Sequence, residues 1–176
     1  STSGLYSNLQ NSLPLFDQYT TLPRHFKNSG YRITRAGKIF HWDEPDLWDD
    51  CNPYMGFPQT PYFPVSGLKN PPPENTQFDW APNDLREEDM RDYANVSWAE
   101  GELARQHTQP FFLGVGLVNT HIPWYVPRQY FEKFNPEHIS LPEVNLNDLD
   151  DIPEYGRSFV NPRYWDDVVG NKQWHK

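Results

Sequence analysis

One lysine and two histidines stand just beyond two apolar runs, in Gly37-Lys38-Ile39-Phe40-His41 and in Asn119-Thr120-His121-Ile122-Pro123. Lysine is a compact permanent cation, and histidine takes up or gives a proton near neutrality. Brought together, such side chains can hold an anion and move a proton at one of its oxygens. Lys38 and His41 are three positions apart, so a turn of the chain between them would face both toward one pocket. His121 precedes Ile122-Pro123, where the fixed φ of proline sets the bend. The bland alternative is a solvated strand-end lysine with two histidines satisfied by backbone groups, and short motifs alone do not decide between the two.

Two strands must position these residues. Tyr31 to Phe40 and Phe111 to Val118 both read as strands, the second as the nearly continuous apolar run of a buried parallel strand. In open α/β sheets the ligand crevice lies beyond the carboxyl ends of the strands, which is where Lys38, His41 and His121 fall. A short helix carrying Phe26 leads into the first strand, with Thr21 as its cap, Pro23 in its first turn and Gly30 past its end. A longer helix is predicted from Asp84 to Gln106. It has Met90, Ala94, Ser97 or Trp98, Gly101 and Ala104 on one face, Glu87 and Glu88 early and Arg105 late, as the helix dipole prefers. The glycosylation sequon Asn95-Val96-Ser97 sits inside that helix and is discounted. Pro127 to Phe134 makes another short helix. Residues 43–82 read as a long irregular excursion and 141–176 as an acidic, proline-broken tail. The fold class is α/β with a mostly parallel central sheet.

With 176 residues the chain is long enough for one sizeable core, although 18 prolines and 16% aromatic residues make it loop-rich. A net charge of −9 argues against a general nucleic-acid binder, which needs a basic face to displace counterions. A few convergent cations can still hold an anionic substrate on an acidic protein. No apolar run approaches the ~20 residues of a membrane span. Cys51 is the single cysteine, so an internal disulfide is excluded.

The segments LPRHFKNSGYRITRAGKIFHW and PFFLGVGLVNTHIPWYVPRQYFEKF resemble the sulfatase family of the alkaline phosphatase superfamily, most closely its iduronate-2-sulfatase-like branch. STSGLYSNLQ, FDWAPNDLREEDMRDYANVSWAEGELARQ and LPEVNLNDLDDIPEYGR fit the same branch more loosely. The resemblance implies an alkaline phosphatase-like sandwich, with 1–176 an internal part of a single catalytic domain. It implies a sulfuric ester hydrolase in which Lys38, His41 and His121 are catalytic, and Lys38 and His121 also bind substrate. Lys38 would bridge the sulfate and a formylglycine hydrate, His41 would contact the hydrate hydroxyl, and His121 would lie near the leaving oxygen.

Calcium and formylglycine are the implied cofactors, and the motifs that supply them are absent from these residues. Those motifs are an early Asp-Asp pair, Cys-x-Pro/Ala-x-Arg, and a later Asp-His/Asn pair with a lysine. The chain by itself is therefore expected to be inactive. Cys51-Asn52-Pro53-Tyr54-Met55 mimics the start of the nucleophile motif, but Met55 stands where the arginine belongs, so Cys51 reads as a structural or incidental free thiol. The implied substrate is a sulfate ester, sulfated glycans among them, and the implied compartment is periplasmic, secreted or lysosomal. Many members of the branch carry Lys-Pro or Arg-Pro before His-Ile-Pro, whereas Asn119-Thr120 stand here, a departure from the family pattern that leaves the sugar or aryl specificity open.

Two other readings stay open. A phosphodiesterase or phosphonate hydrolase of the same superfamily would need a Thr or Ser nucleophile and two metals. A non-catalytic carbohydrate-binding or interaction module would use Trp42, Trp48, Trp80 and Trp124 as stacking platforms.

Overall fold

The computed structural model describes residues 3–7, 10–42, 45–52, 80–119, 121, 124–140, 142–143, 145 and 147–160. Among them the strands are β1 (Arg32–Gly37), β2 (Asp50–Cys51), β3 (Trp80–Asn83), β4 (Phe111–Gly116) and β5 (Trp124–Pro127). The α-helices are α1 (Leu13–Phe16), α2 (Leu22–Asn28), α3 (Arg91–Ala104), α4 (Arg128–Phe131) and α5 (Glu154–Arg157). The chain forms two compact units, residues 1–60 with 86–121 and residues 61–85 with 122–176. It is an α/β structure with parallel sheets, consistent with part of an alkaline phosphatase-like sulfatase fold.

In the first unit a parallel sheet runs in the order β2-β1-β4. β1 pairs with β4 from Arg32↔Phe111 to Gly37↔Gly116, so the two strands end level with each other. Side chains alternate across a strand. One face of β1 carries Ile33, which joins Leu47 and Trp48 in a core against which Phe26, Tyr31, Ile39, Phe40 and Phe112 pack. Phe26 of α2 stacks on Phe112 at 4.8 Å, and Phe40 meets Trp48 at 6.4 Å. The other face lies under α3, where Arg32 reaches Glu102. α2 forms as its sequence predicts: Thr21 Oγ1 accepts the Arg24 N–H, and Gly30 takes a φ of 84° past the end.

Several sequence expectations need correction. β1 stops at Gly37 and not at Phe40, because Gly37 has a φ of 70°, which turns the backbone out of the extended region. β4 stops at Gly116 and not at Val118, level with its partner. The long helix starts at Arg91. Asp84 lies just past β3, and Glu87, Glu88 and Asp89 form a 3-10 turn closed by Arg86 and Asp89. Of the predicted face only Met90, the N-cap, is buried; the helix itself buries Asn95, Ala99 and Glu102, since two polar groups find partners beneath it. Asn95 is 2% exposed and accepts a 3.0 Å bond from Asn52 Nδ2, so the sequon is closed to a glycan in the folded unit. The stretch 43–82 is not irregular throughout. It contributes a 3-10 turn at Pro45–Leu47, β2 and most of β3, while 53–79 lie outside the described residues.

In the second unit β3 and β5 pair in parallel, from Trp80↔Trp124 to Asn83↔Pro127. α4 packs on both strands and is shorter than the predicted Pro127–Phe134 helix. Arg128 clasps Asp84 Oδ1 through Nε at 3.1 Å and Nη2 at 2.9 Å.

Candidate anion-binding site

The spacing in Gly37-Lys38-Ile39-Phe40-His41 has a packing reason. Ile39 and Phe40 are the two members that turn into the aromatic core, and Phe40 also meets Phe16 at 5.1 Å. Lys38 and His41 are left exposed on the other side of the bend. Their nitrogens meet, with Lys38 Nζ 3.3 Å from His41 Nδ1. An ammonium has donors only, so Nδ1 accepts in this contact and Nε2 carries the ring proton. The pair thus presents a cation and an N–H donor from one turn.

Glycine is required where Lys38 begins. A Cβ on Gly116 would overlap the Lys38 carbonyl, and one on Gly37 would overlap the Gly116 carbonyl. The close approach lets Lys38 N–H donate to Gly116 O at 3.1 Å, one step past the sheet ladder. Arg35, 7% exposed with its guanidinium 5.8 Å from the Trp48 ring centre, donates Nη1 to Gly37 O at 3.1 Å and holds the other side of that peptide. The lysine backbone is therefore fixed by both strands while its side chain extends outward to His41.

His121 follows the carboxyl end of β4 and is exposed. Its backbone N–H closes a turn onto Val118 O at 2.7 Å, and Ile122-Pro123 lie outside the described residues. Asp92, on α3, holds this turn from the side by accepting the backbone N–H groups of Val118 and Asn119. Sequence reasoning missed Asp92. An acidic residue early in a helix has the ordinary dipole explanation, and its tie to a strand end 26 positions away has no local signature. All three expected residues thus stand beyond the carboxyl ends of two adjacent parallel strands, and Lys38 and His41 are in contact.

At the opposite, amino end of β1 lies an ion cluster. Arg32 Nη1 donates to Glu102 Oε2 at 2.6 Å and Nη2 to Asp50 Oδ2 at 3.0 Å, while Arg105 bonds Glu102 Oε1. Burial alone would raise the Glu102 carboxyl, yet the hydrogen bonds from Arg32 and Arg105 outweigh it and hold the group below the ordinary carboxylate range. This cluster fastens α3 to the sheet and stands apart from Lys38.

Among the described residues no group of three or more His, Cys, Asp or Glu side chains comes together to hold a metal ion. Cys51 sits in β2 opposite Arg35, with Met55 in place of the motif arginine. The described residues do not by themselves fit a calcium ion or a formylglycine.

No family model matches the chain. Curated proteins do. Over 171 residues the chain is 30% identical to a protein named "Sulfatase" from Formosa agariphila, covering 89% of this chain and 34% of that one. It is 31% identical over 146 residues to "Iduronate 2-sulfatase" of Homo sapiens, covering 72% and 26%, and 30% identical over 165 residues to that of Mus musculus, covering 77% and 28%. The chain is a homologue of the sulfatases. It spans about a third of the length of these relatives or less. In this sulfatase homologue the matched stretch takes in both the turn of Lys38 and His41 and most of the sheet that positions it.

Proposed function

We propose that this chain supplies the sulfate-gripping part of a sulfuric ester hydrolase. A sulfate monoester carries its charge on peripheral oxygens, and its hydrolysis shifts negative charge to the bridging oxygen. Lys38 neutralises the peripheral oxygens, His41 donates beside it, and His121 serves the leaving oxygen as a proton donor. What supports the reading most is the Lys38–His41 contact at 3.3 Å on a backbone locked by Gly37 and Gly116, in a homologue of proteins named sulfatases. Sulfated glycans are the substrate class we favour, because two of the three relatives are named for a sulfated sugar acid. In the intact protein, turnover of an aryl sulfate should be measurable, and Lys38→Ala should lower kcat/KM by about a hundredfold or more, since a fixed cation aimed at developing charge is typically worth several kcal/mol. Unchanged kcat/KM would sink the assignment.

The carbohydrate-binding alternative keeps one supporting observation. Trp48 is 7% exposed in the core and cannot serve as a platform, but Trp80, Val126, Tyr130, Phe131 and Phe134 line an open apolar cavity in the second unit. Glycan binding that depends on Trp80 and is indifferent to Lys38, without turnover of any sulfate ester, would favour that module.

A further inference from the structure

The turn that carries His121 is fastened by one carboxylate belonging to another element. Asp92, the second residue of α3, accepts the Val118 N–H through Oδ1 and Oδ2, both at 2.9 Å, and the Asn119 N–H through Oδ2 at 2.7 Å. β4 has ended at Gly116, so these amides lie beyond its ladder with β1. The next bond along the chain is His121 N–H to Val118 O at 2.7 Å, which closes the turn. A continuous path therefore runs from the carboxylate to two amides, then to the turn and to the backbone of His121. Hydrogen bonds to an ionised acceptor are roughly twice as strong as neutral ones. Asp92 is not the cap of its own helix, whose N-cap is Met90 with no side-chain cap bond.

We infer that Asp92 is a positioning residue for His121: it fixes the turn after β4 so that the imidazole is held beyond the carboxyl end of β4, the strand paired with the one that leads to Lys38. This rests on the reading of His121 as the donor to the leaving oxygen. Asp92 acts through backbone and touches no reacting atom.

The test uses the intact protein and two substrates, a nitrophenyl sulfate and an alkyl sulfate. Asp92→Ala should reproduce the pattern of His121→Ala, with kcat/KM down by about tenfold or more on the alkyl sulfate and by less than about threefold on the nitrophenyl ester, since a poor leaving group needs the proton more. The double variant should be no worse than His121→Ala, because the two residues act as one unit. Asp92→Asn keeps one acceptor oxygen and should recover most of the loss. Equal losses on both substrates that add to those of His121→Ala, or no loss on either, would overturn the assignment.

A wild-type protein without turnover on any sulfate ester would refute the sulfatase reading and leave the positioning claim to its second readout. Asp92→Ala should speed amide exchange at Val118 and Asn119 by about tenfold or more and shift the His121 ring resonances, with Asp92→Asn intermediate. Unchanged exchange and unchanged ring signals would overturn it independently of any activity.

Discussion

Under the proposed function Lys38, His41 and His121 have different tasks, and the difference is measurable. Lys38 is bonded through its backbone N–H to Gly116 O, and its side chain is assigned to binding charge and not to passing a proton. Its removal should slow good and poor leaving groups alike. Under the proposed function His121 gives a proton to the leaving oxygen, so His121→Ala should raise the sensitivity of kcat/KM to leaving-group pKa across a series of aryl sulfates. A uniform loss across that series would restrict His121 to binding the sulfate. Residue type and place at strand ends singled out Lys38, His41 and His121 as candidates, but only the resemblance to sulfatases favoured them over solvated side chains. Asp92 was not singled out, since a carboxylate that works through distant amides looks on paper like any acid near a helix start.

The elements show why part of the fold could be read in advance and part could not. α2 carries its own signals in Thr21, Pro23 and Gly30, and β1 and β4 were visible as strand runs, whereas the short parallel strands β2, β3 and β5 were not. Strand ends were misjudged because the backbone leaves the sheet at glycines whose role is tertiary. Gly116 looks like an ordinary small residue in an apolar run, yet its missing Cβ is what admits the Lys38 backbone. Gly116→Ala should therefore destabilise the fold by about 3 kcal/mol, as overpacking against immovable backbone does; a melting temperature equal to wild type would contradict the close approach.

The buried face of α3 was misassigned for a related reason, since Asn95 and Glu102 are buried by virtue of partners on other elements. The Glu102 carboxyl titrates lower in the folded state than in the unfolded chain, so its contribution is present above the ordinary carboxylate range and is lost as the pH falls through the folded value. Glu102→Gln should cost about 2 kcal/mol at pH 7 and progressively less toward acid pH. A cost independent of pH, followed by denaturant unfolding, would show that the carboxylate charge plays no part.

On the scale of the molecule, β4 is an edge strand among the described residues, and its Val115 and the Leu117 just past its end are about half exposed, at 45% and 55%. Its sequence reads as a strand buried on both faces, and the chain spans only about a third of the length of its relatives or less. The architecture that positions Lys38 and His41 is nonetheless contained in the first unit, with the sheet, the aromatic core and α3 all made from its own residues. The account stands on the claim that three side chains at the carboxyl ends of β1 and β4 share one anion. A crystal structure of the intact protein with bound inorganic sulfate tests that claim most directly. The account predicts sulfate oxygens at hydrogen-bond distance, about 3 Å, from Lys38 Nζ and a ring nitrogen of His121, with His41 still against the lysine. Sulfate bound elsewhere, or at Lys38 with the His121 ring beyond about 10 Å, would contradict it.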